Sequence, residues 1–117
     1  MTVHEIAARL AELCKTGQFE QAQNELYADN CVSIEGEGSM VPRVEGLDAI
    51  REKGRQFQSM IDEYYGGYVT DPVIAGNHIT LTMGMDVKMR GQERFMMEEV
   101  CVYKVKDGKI VLEHFFF

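Results

Sequence analysis

The strongest constraint on the fold is a period of two that runs through the last part of the chain. In "HITLTMGMDVKM", residues 78–89, large apolar side chains alternate with small or polar ones. Successive side chains of a strand point to opposite faces of a sheet, so this pattern predicts a strand with one buried face. The turns "RGQE" and "KDGK" lead into two more predicted strands, over 94–106 and 109–117. Together they predict an antiparallel meander.

The part of the chain before this meander is mostly helical in pattern. Its predicted segments are a helix over 3–15, a helix over 18–27, a strand over 31–35, a long helix over 46–64 and a strand over 67–75. Thr2 and Glu5 have the spacing of a capping box, which fixes the start of the first helix. Helices followed by an antiparallel sheet are typical of an α+β fold. A length of 117 residues predicts one domain over 1–117.

Charge and composition exclude several classes of partner. The formal net charge is -7, so electrostatic attraction to nucleic acid or to an anionic membrane is not expected. Arg51, Lys53 and Arg55 remain a candidate local basic patch on the surface. No apolar segment has signal-peptide or membrane-spanning length. The expectation is a cytoplasmic protein with neither a nucleic-acid nor a membrane partner.

The three cysteines, Cys14, Cys31 and Cys101, are widely spaced and odd in number. The sequence contains no C-x-x-C pair. These features predict neither a disulfide framework nor a structural zinc site. Free thiols are the usual state in a reducing cytoplasm.

Two strands carry ionisable groups among apolar residues. One face of the strand 94–106 holds Glu99 between Met97 and Cys101. A carboxylate there must be paired, be hydrogen-bonded, or have a pKa raised by desolvation. Simple alternation in the last strand puts His114 on the face of Ile110 and leaves Glu113 on the other face. An alternative for Glu99 is a simple pair with a neighbour at a sheet edge. A histidine on an apolar face is more often a hydrogen-bonded core residue than a catalyst, and the eight methionines are typical of core filling.

Three segments in order resemble the SnoaL-like branch of the nuclear transport factor 2-like superfamily. They are "LYADNCVSIEGEG", "VEGLDAI" and "VYKVKDGKIVLEHFFF". The resemblance implies N-terminal helices packed into a strongly curved, mainly antiparallel sheet, a cystatin-like cone with a pocket at its wide end. It further implies a homodimer through the outer sheet face. The implied ligand is a small apolar or amphipathic organic molecule, and no cofactor is implied.

The resemblance also assigns roles to residues of the implied site. The superfamily includes ketosteroid isomerases, and Glu35 falls on the position of their catalytic base. Leu10 and Cys101 fall on the positions of the tyrosine and aspartic acid of the isomerase oxyanion hole. Neither residue donates a strong hydrogen bond to an enolate, so steroid isomerisation is not expected. Cyclase- or hydrolase-like chemistry remains open.

The expected site is therefore built on carboxylates. Glu35 would act as general base, His114 as a second acid or base, and Glu99 as a carboxyl of raised pKa or as an orienting group. The residues expected to line the pocket are Leu10, Phe57, Tyr64, Cys101 and Tyr103. The alternative is a non-catalytic ligand-binding or dimerisation module, in which Glu35 and Glu99 are held in structural pairs.

Overall fold

The computed structural model describes residues 1–36, 38–39 and 41–117. Glu37 and Met40, in the loop predicted to run to Pro42, lie outside the described residues. The described helices are α1 (Val3–Lys15), α2 (Phe19–Leu26) and α3 (Leu47–Ser59). The described strands are β1 (Tyr27–Ile34), β2 (Arg43–Glu45), β3 (Ile61–Val69), β4 (Val73–Ala75), β5 (His78–Met89), β6 (Phe95–Lys106) and β7 (Lys109–Phe116).

The strands form one sheet in the order β2-β1-β7-β6-β5-β3, and β4 pairs with β5 beside β3. Neighbouring strands are antiparallel except β1 and β7, which run parallel. Helix α1 contacts β3, β4 and β5 of the sheet, and helix α3 contacts β1, β2 and β3. The predicted α+β fold with a mainly antiparallel sheet is confirmed.

The first helix follows its sequence signals closely. The Thr2 hydroxyl accepts a hydrogen bond from the Glu5 amide at 3.1 Å, and the Glu5 carboxylate accepts one from the Thr2 amide at 2.9 Å. This reciprocal capping box satisfies amides that have no partner within the helix. Ile6, Leu10 and Leu13 face the core. In the described residues, no helix combines the length and apolar character that crossing a membrane requires.

The long helix ends five residues earlier than predicted. It stops at Ser59, and Tyr64 lies in β3 instead. The spacing of Phe57, Ile61 and Tyr64 suits a helical stripe, but the segment from Ile61 is rich in β-branched and aromatic residues, which favour strands. This segment forms a strand because it pairs with the edge of β5 from Ile61 to Val69.

The predicted faces of the last strand are wrong from residue 111 onward. Lys104 pairs with Leu112, but the next residue of β6, Val105, pairs with Ile110, so Val111 is an extra residue in β7. Such a bulge reverses the side to which all later side chains point. Glu113 consequently lies on the inner face, opposite Tyr103. His114 pairs with Val102 on the outer face.

Candidate functional site

The ammonium group of Lys53 joins α3 to the end of β1. It donates a hydrogen bond to Ser33 Oγ at 2.6 Å and pairs with Glu35 Oε1 at 3.2 Å. It also lies 5.6 Å from the ring centroid of Phe115 on β7. The Lys53 and Glu35 side chains are 15% and 25% exposed. This is a largely buried ion pair, so solvent screens it much less than a surface pair.

Lys53 is therefore not part of the surface patch predicted from its neighbours. Arg51 and Arg55 do point outward, where they pair with Asp48 and Glu20. Lys53 follows Ile50 by three residues and precedes Phe57 by four, so all three share one side of the helix. That spacing is the sequence signal that places Lys53 toward the sheet.

The carboxyl group of Glu113 is buried beneath this ion pair, on the face opposite to the one that alternation predicts. Glu113 is 3% exposed and Ser33 is fully buried. The Tyr27 hydroxyl donates a hydrogen bond to Glu113 Oε1, and Ser33 is paired with Glu113 in the register of β1 and β7. Burial raises the pKa of Glu113, although the nearby hydroxyl groups of Ser33 and Tyr27 lower it.

The contact between Lys53 and Ser33 has the distance of a serine–lysine nucleophilic pair. Lys53, however, is the donor in this contact, and Ser33 has no exposed surface. A nucleophile must reach its substrate, so burial excludes that role for Ser33. The contact instead holds the lysine ammonium in a fixed place.

Glu99 is a second carboxyl group of this site with a raised pKa. It is half-buried on the inner face of β6, and the Cys101 thiol lies 3.8 Å from its Oε1. Desolvation, and next the charge of Glu35, raise the pKa of Glu99 to about 7. Within the described residues it forms no ion pair. A carboxyl group with this pKa exchanges protons near neutral pH.

The structure brings together some of the predicted site residues and separates others. Glu35 contacts Lys53, and both lie close enough to Glu99 for their charges to act on its carboxyl group. His114 lies on the outer face, where its ring stacks on Phe116 at 4.1 Å between centroids. The bulge at Val111 is the physical reason that His114 is absent from this group.

The residues predicted to line the pocket are divided between core and surface. Leu10, Cys101 and Tyr103 are fully packed in the core, so they support the site from below. Phe57 is half-buried one helical turn beyond Lys53. Tyr64 is 60% exposed on the edge strand β3.

Two open depressions lie elsewhere on the described surface. One, of about 420 Å³, borders the first turn of α3, and the other, of about 130 Å³, lies around Thr70, Thr82 and Val100. Neither is lined by Glu35, Lys53 or Glu99. In the described part of the chain, no three His, Cys, Asp or Glu side chains are grouped as metal ligands would be.

Comparison with known proteins gives consistent results. A family model described as a SnoaL-like domain matches residues 1–117. A SnoaL-like polyketide cyclase candidate from Mesorhizobium loti is 35% identical, with all of both chains covered and a TM-score of 0.95. No curated protein matches the sequence.

Two more distant structures share the fold. A protein of cystatin-like fold from Xanthomonas campestris is 15% identical, with 99% of this chain and 90% of that chain covered and a TM-score of 0.81. TerC, co-crystallised with polyporic acid, is 12% identical, with 98% and 90% covered and a TM-score of 0.77.

Proposed function

Because the chain belongs to the SnoaL-like family, we propose that it binds a small apolar or amphipathic organic molecule beside Lys53 and Glu99. We further propose that it acts on this molecule without a cofactor, with Glu99 as general acid and base. The observation that carries the proposal is the half-buried Glu99, whose pKa burial raises to about 7. A base is most effective when its pKa is near the working pH.

The division of roles between the two carboxylates follows from their partners. Glu35 pairs with Lys53 and accepts a hydrogen bond from the Ser39 hydroxyl at 2.7 Å. Those contacts engage both of its oxygens, so neither is left to face a bound molecule. Glu99 has only the weak thiol contact of Cys101 among the described residues. Glu99 would take a proton from a carbon next to a carbonyl group and return it at another position, as in an isomerisation or a cyclisation.

Exchange of carbon-bound hydrogen tests this function without knowledge of the natural substrate. A panel of small apolar ketones and β-keto esters is incubated with the protein in D₂O, and α-deuterium incorporation is followed by NMR. We expect catalysed exchange whose rate rises with pH through about 7, because the ionised form of Glu99 is the base. Glu99→Gln should lower the catalysed rate about 100-fold or more, the usual contribution of a positioned base.

The matched control is Glu52→Gln, which removes an exposed carboxyl group from α3. It should leave the exchange rate unchanged. Exchange that persists in Glu99→Gln would refute the assignment of the base, and no catalysed exchange with any member of the panel would favour a non-catalytic role.

That non-catalytic role is the second candidate, and it also has a specific observation behind it. Glu35 is held in a structural pair with Lys53, and methionines occupy the inner face next to Glu99. These methionines are Met83, Met85 and Met97. Flexible thioether side chains suit the binding of varied apolar molecules. In this case the protein would bind the ketones of the panel without catalysing exchange.

We also propose a homodimer formed through the outer face of the sheet. This face exposes large apolar side chains on neighbouring strands, namely Tyr68, Val73, Met96, Val100 and Phe116. Exposed apolar side chains grouped on one face of a sheet are typical of an interaction surface.

Sedimentation velocity at micromolar concentration should therefore show a species of about twice 13.3 kDa. Val100→Lys places a charge at the centre of the outer patch and should shift the protein to the monomer, because an unpaired buried charge is costly. Gln58→Lys makes the same change in net charge on the exposed side of α3 and should leave the dimer intact. A single species near 13.3 kDa for the wild-type chain would contradict the dimer.

A cytoplasmic location is part of the same proposal. Cys14, Cys31 and Cys101 are buried free thiols. Reducing compartments keep thiols in this state.

A further inference from the structure

Lys53 has a choice of carboxylate partners within its site. The charges that act on Glu99 come from Glu35 at the end of β1, Lys53 on α3 and Glu113 on β7, and the Cys101 thiol on β6 contacts it directly. A lysine ammonium on a flexible four-carbon stem can move between nearby acceptors. Nevertheless Lys53 is bonded to Ser33 and Glu35, and not to Glu99.

Ser33 has the right geometry to fix this choice. A serine hydroxyl has one proton to donate and two lone pairs that accept. Ser33 accepts the Lys53 bond at 2.6 Å, which leaves its own proton to point toward the neighbouring Glu113 carboxyl group. Glu113 is in turn held by the Tyr27 hydroxyl. The sheet register places Ser33 directly beside Glu113, on neighbouring parallel strands.

We propose that Ser33, oriented by Glu113, is a positioning residue that holds Lys53 on Glu35 and keeps it away from Glu99. Its role is to leave one carboxyl group of the site without a cation, so that this group can carry a proton near neutral pH. The inference rests on the proposed function and deepens it, because it names the residue that preserves the proton-carrying state that burial gives to Glu99. Neither Ser33 nor Glu113 contacts a ligand in this scheme.

The test is the titration of Glu99, followed by NMR of its ¹³C-labelled side-chain carboxyl, in the wild-type protein and in Ser33→Ala. Loss of the Ser33 oxygen frees Lys53 to approach Glu99. An opposite charge within about 4–6 Å lowers a carboxyl pKa by one to three units. We therefore expect the pKa of Glu99 to fall from about 7 by at least one unit in Ser33→Ala. Ser33→Thr keeps the hydroxyl group and should restore the wild-type value.

Tyr27→Phe is the matched control for an indirect effect through Glu113. It removes the hydroxyl donor of Tyr27 from Glu113 but leaves the bond between Ser33 and Lys53 in place. The pKa of Glu99 should change much less in Tyr27→Phe than in Ser33→Ala. Should Ser33→Ala not fold, Ser33→Cys provides a close steric match with a weak acceptor, and the same fall is expected.

The outcomes separate this inference from the proposed function. A wild-type pKa of about 7 that is unchanged in Ser33→Ala and Ser33→Cys would overturn the positioning role and leave the proposed function standing. An equal fall in Tyr27→Phe and Ser33→Ala would also overturn it, because the effect would then pass through Glu113 alone. An ordinary wild-type pKa for Glu99 would overturn both.

Discussion

At pH 8 the Glu99→Gln variant should be more stable than the wild-type protein, and near pH 4.5 the two should be equally stable. The cause is the raised pKa of Glu99, about 7 in the folded protein against 4.5 as its ordinary value. The folded state keeps the proton to higher pH than the unfolded chain does. Stability contributed by this group therefore falls as the pH rises from about 4.5 through about 7.

The size of this effect is large for a single substitution. A pKa difference of this size corresponds to about 3 kcal/mol in the free energy of unfolding. Glutamine resembles the protonated form and does not ionise, so the variant avoids this cost. Urea denaturation of both proteins between pH 4.5 and pH 8 measures the difference.

The difference between variant and wild type is the relevant quantity, because other groups titrate in the same range. Glu52→Gln on α3 controls for the loss of one negative charge. A variant that is no more stable than the wild type at pH 8 would mean that Glu99 is not desolvated as described. We expect the Glu99 carboxyl group to lower the free energy of unfolding at pH 8, as functional groups often do.

The second large effect is expected at Glu113. At pH 5, where the raised pKa of Glu113 destabilises the folded protein least, Glu113→Ala should lower the free energy of unfolding by about 3 to 5 kcal/mol. Truncation leaves a cavity in the inner layer, and it leaves the buried Tyr27 hydroxyl without its acceptor. Each orphaned buried polar group costs about 1 to 3 kcal/mol.

A graded series separates these two contributions. Glu113→Gln keeps the volume and one acceptor oxygen, so its cost should be smaller, about 1 to 2 kcal/mol. Glu93→Ala, at an exposed turn, should change stability by less than about 0.5 kcal/mol. Urea denaturation measures all three variants. A Glu113→Ala protein as stable as the Glu93→Ala protein would show that the buried network contributes nothing.

The sequence predicts those parts of the fold that depend on local patterns. Alternation from His78 onward, the capping box at Thr2 and the turns between β5, β6 and β7 all describe interactions close along the chain. The family resemblance adds the order of the elements, and the SnoaL-like assignment is confirmed. Glu99 on the inner face also follows from alternation alone, because β6 is regular from Phe95 to Lys104 in its pairing with β5.

The predictions are wrong where pairing between segments distant along the chain determines the structure. One extra residue, Val111, exchanges the faces of Glu113 and His114, and no composition signal marks it. The end of α3 depends on the edge that β5 offers to Ile61 and its successors. The short β2 exists because Val44 pairs with Ser33 across a loop. Lys53 could have been found from its spacing to Ile50 and Phe57, but its partners lie on β1.

The most direct test of a proton-carrying carboxyl group at this site is the titration of Glu99 in the wild-type protein. Site-resolved ¹³C NMR of the glutamate side chains, assigned with Glu99→Gln, gives its pKa without any ligand. We expect a midpoint near pH 7, because burial and the charge of Glu35 both disfavour ionisation. A midpoint near the ordinary value of 4.5 would contradict the proposed acid–base role of Glu99.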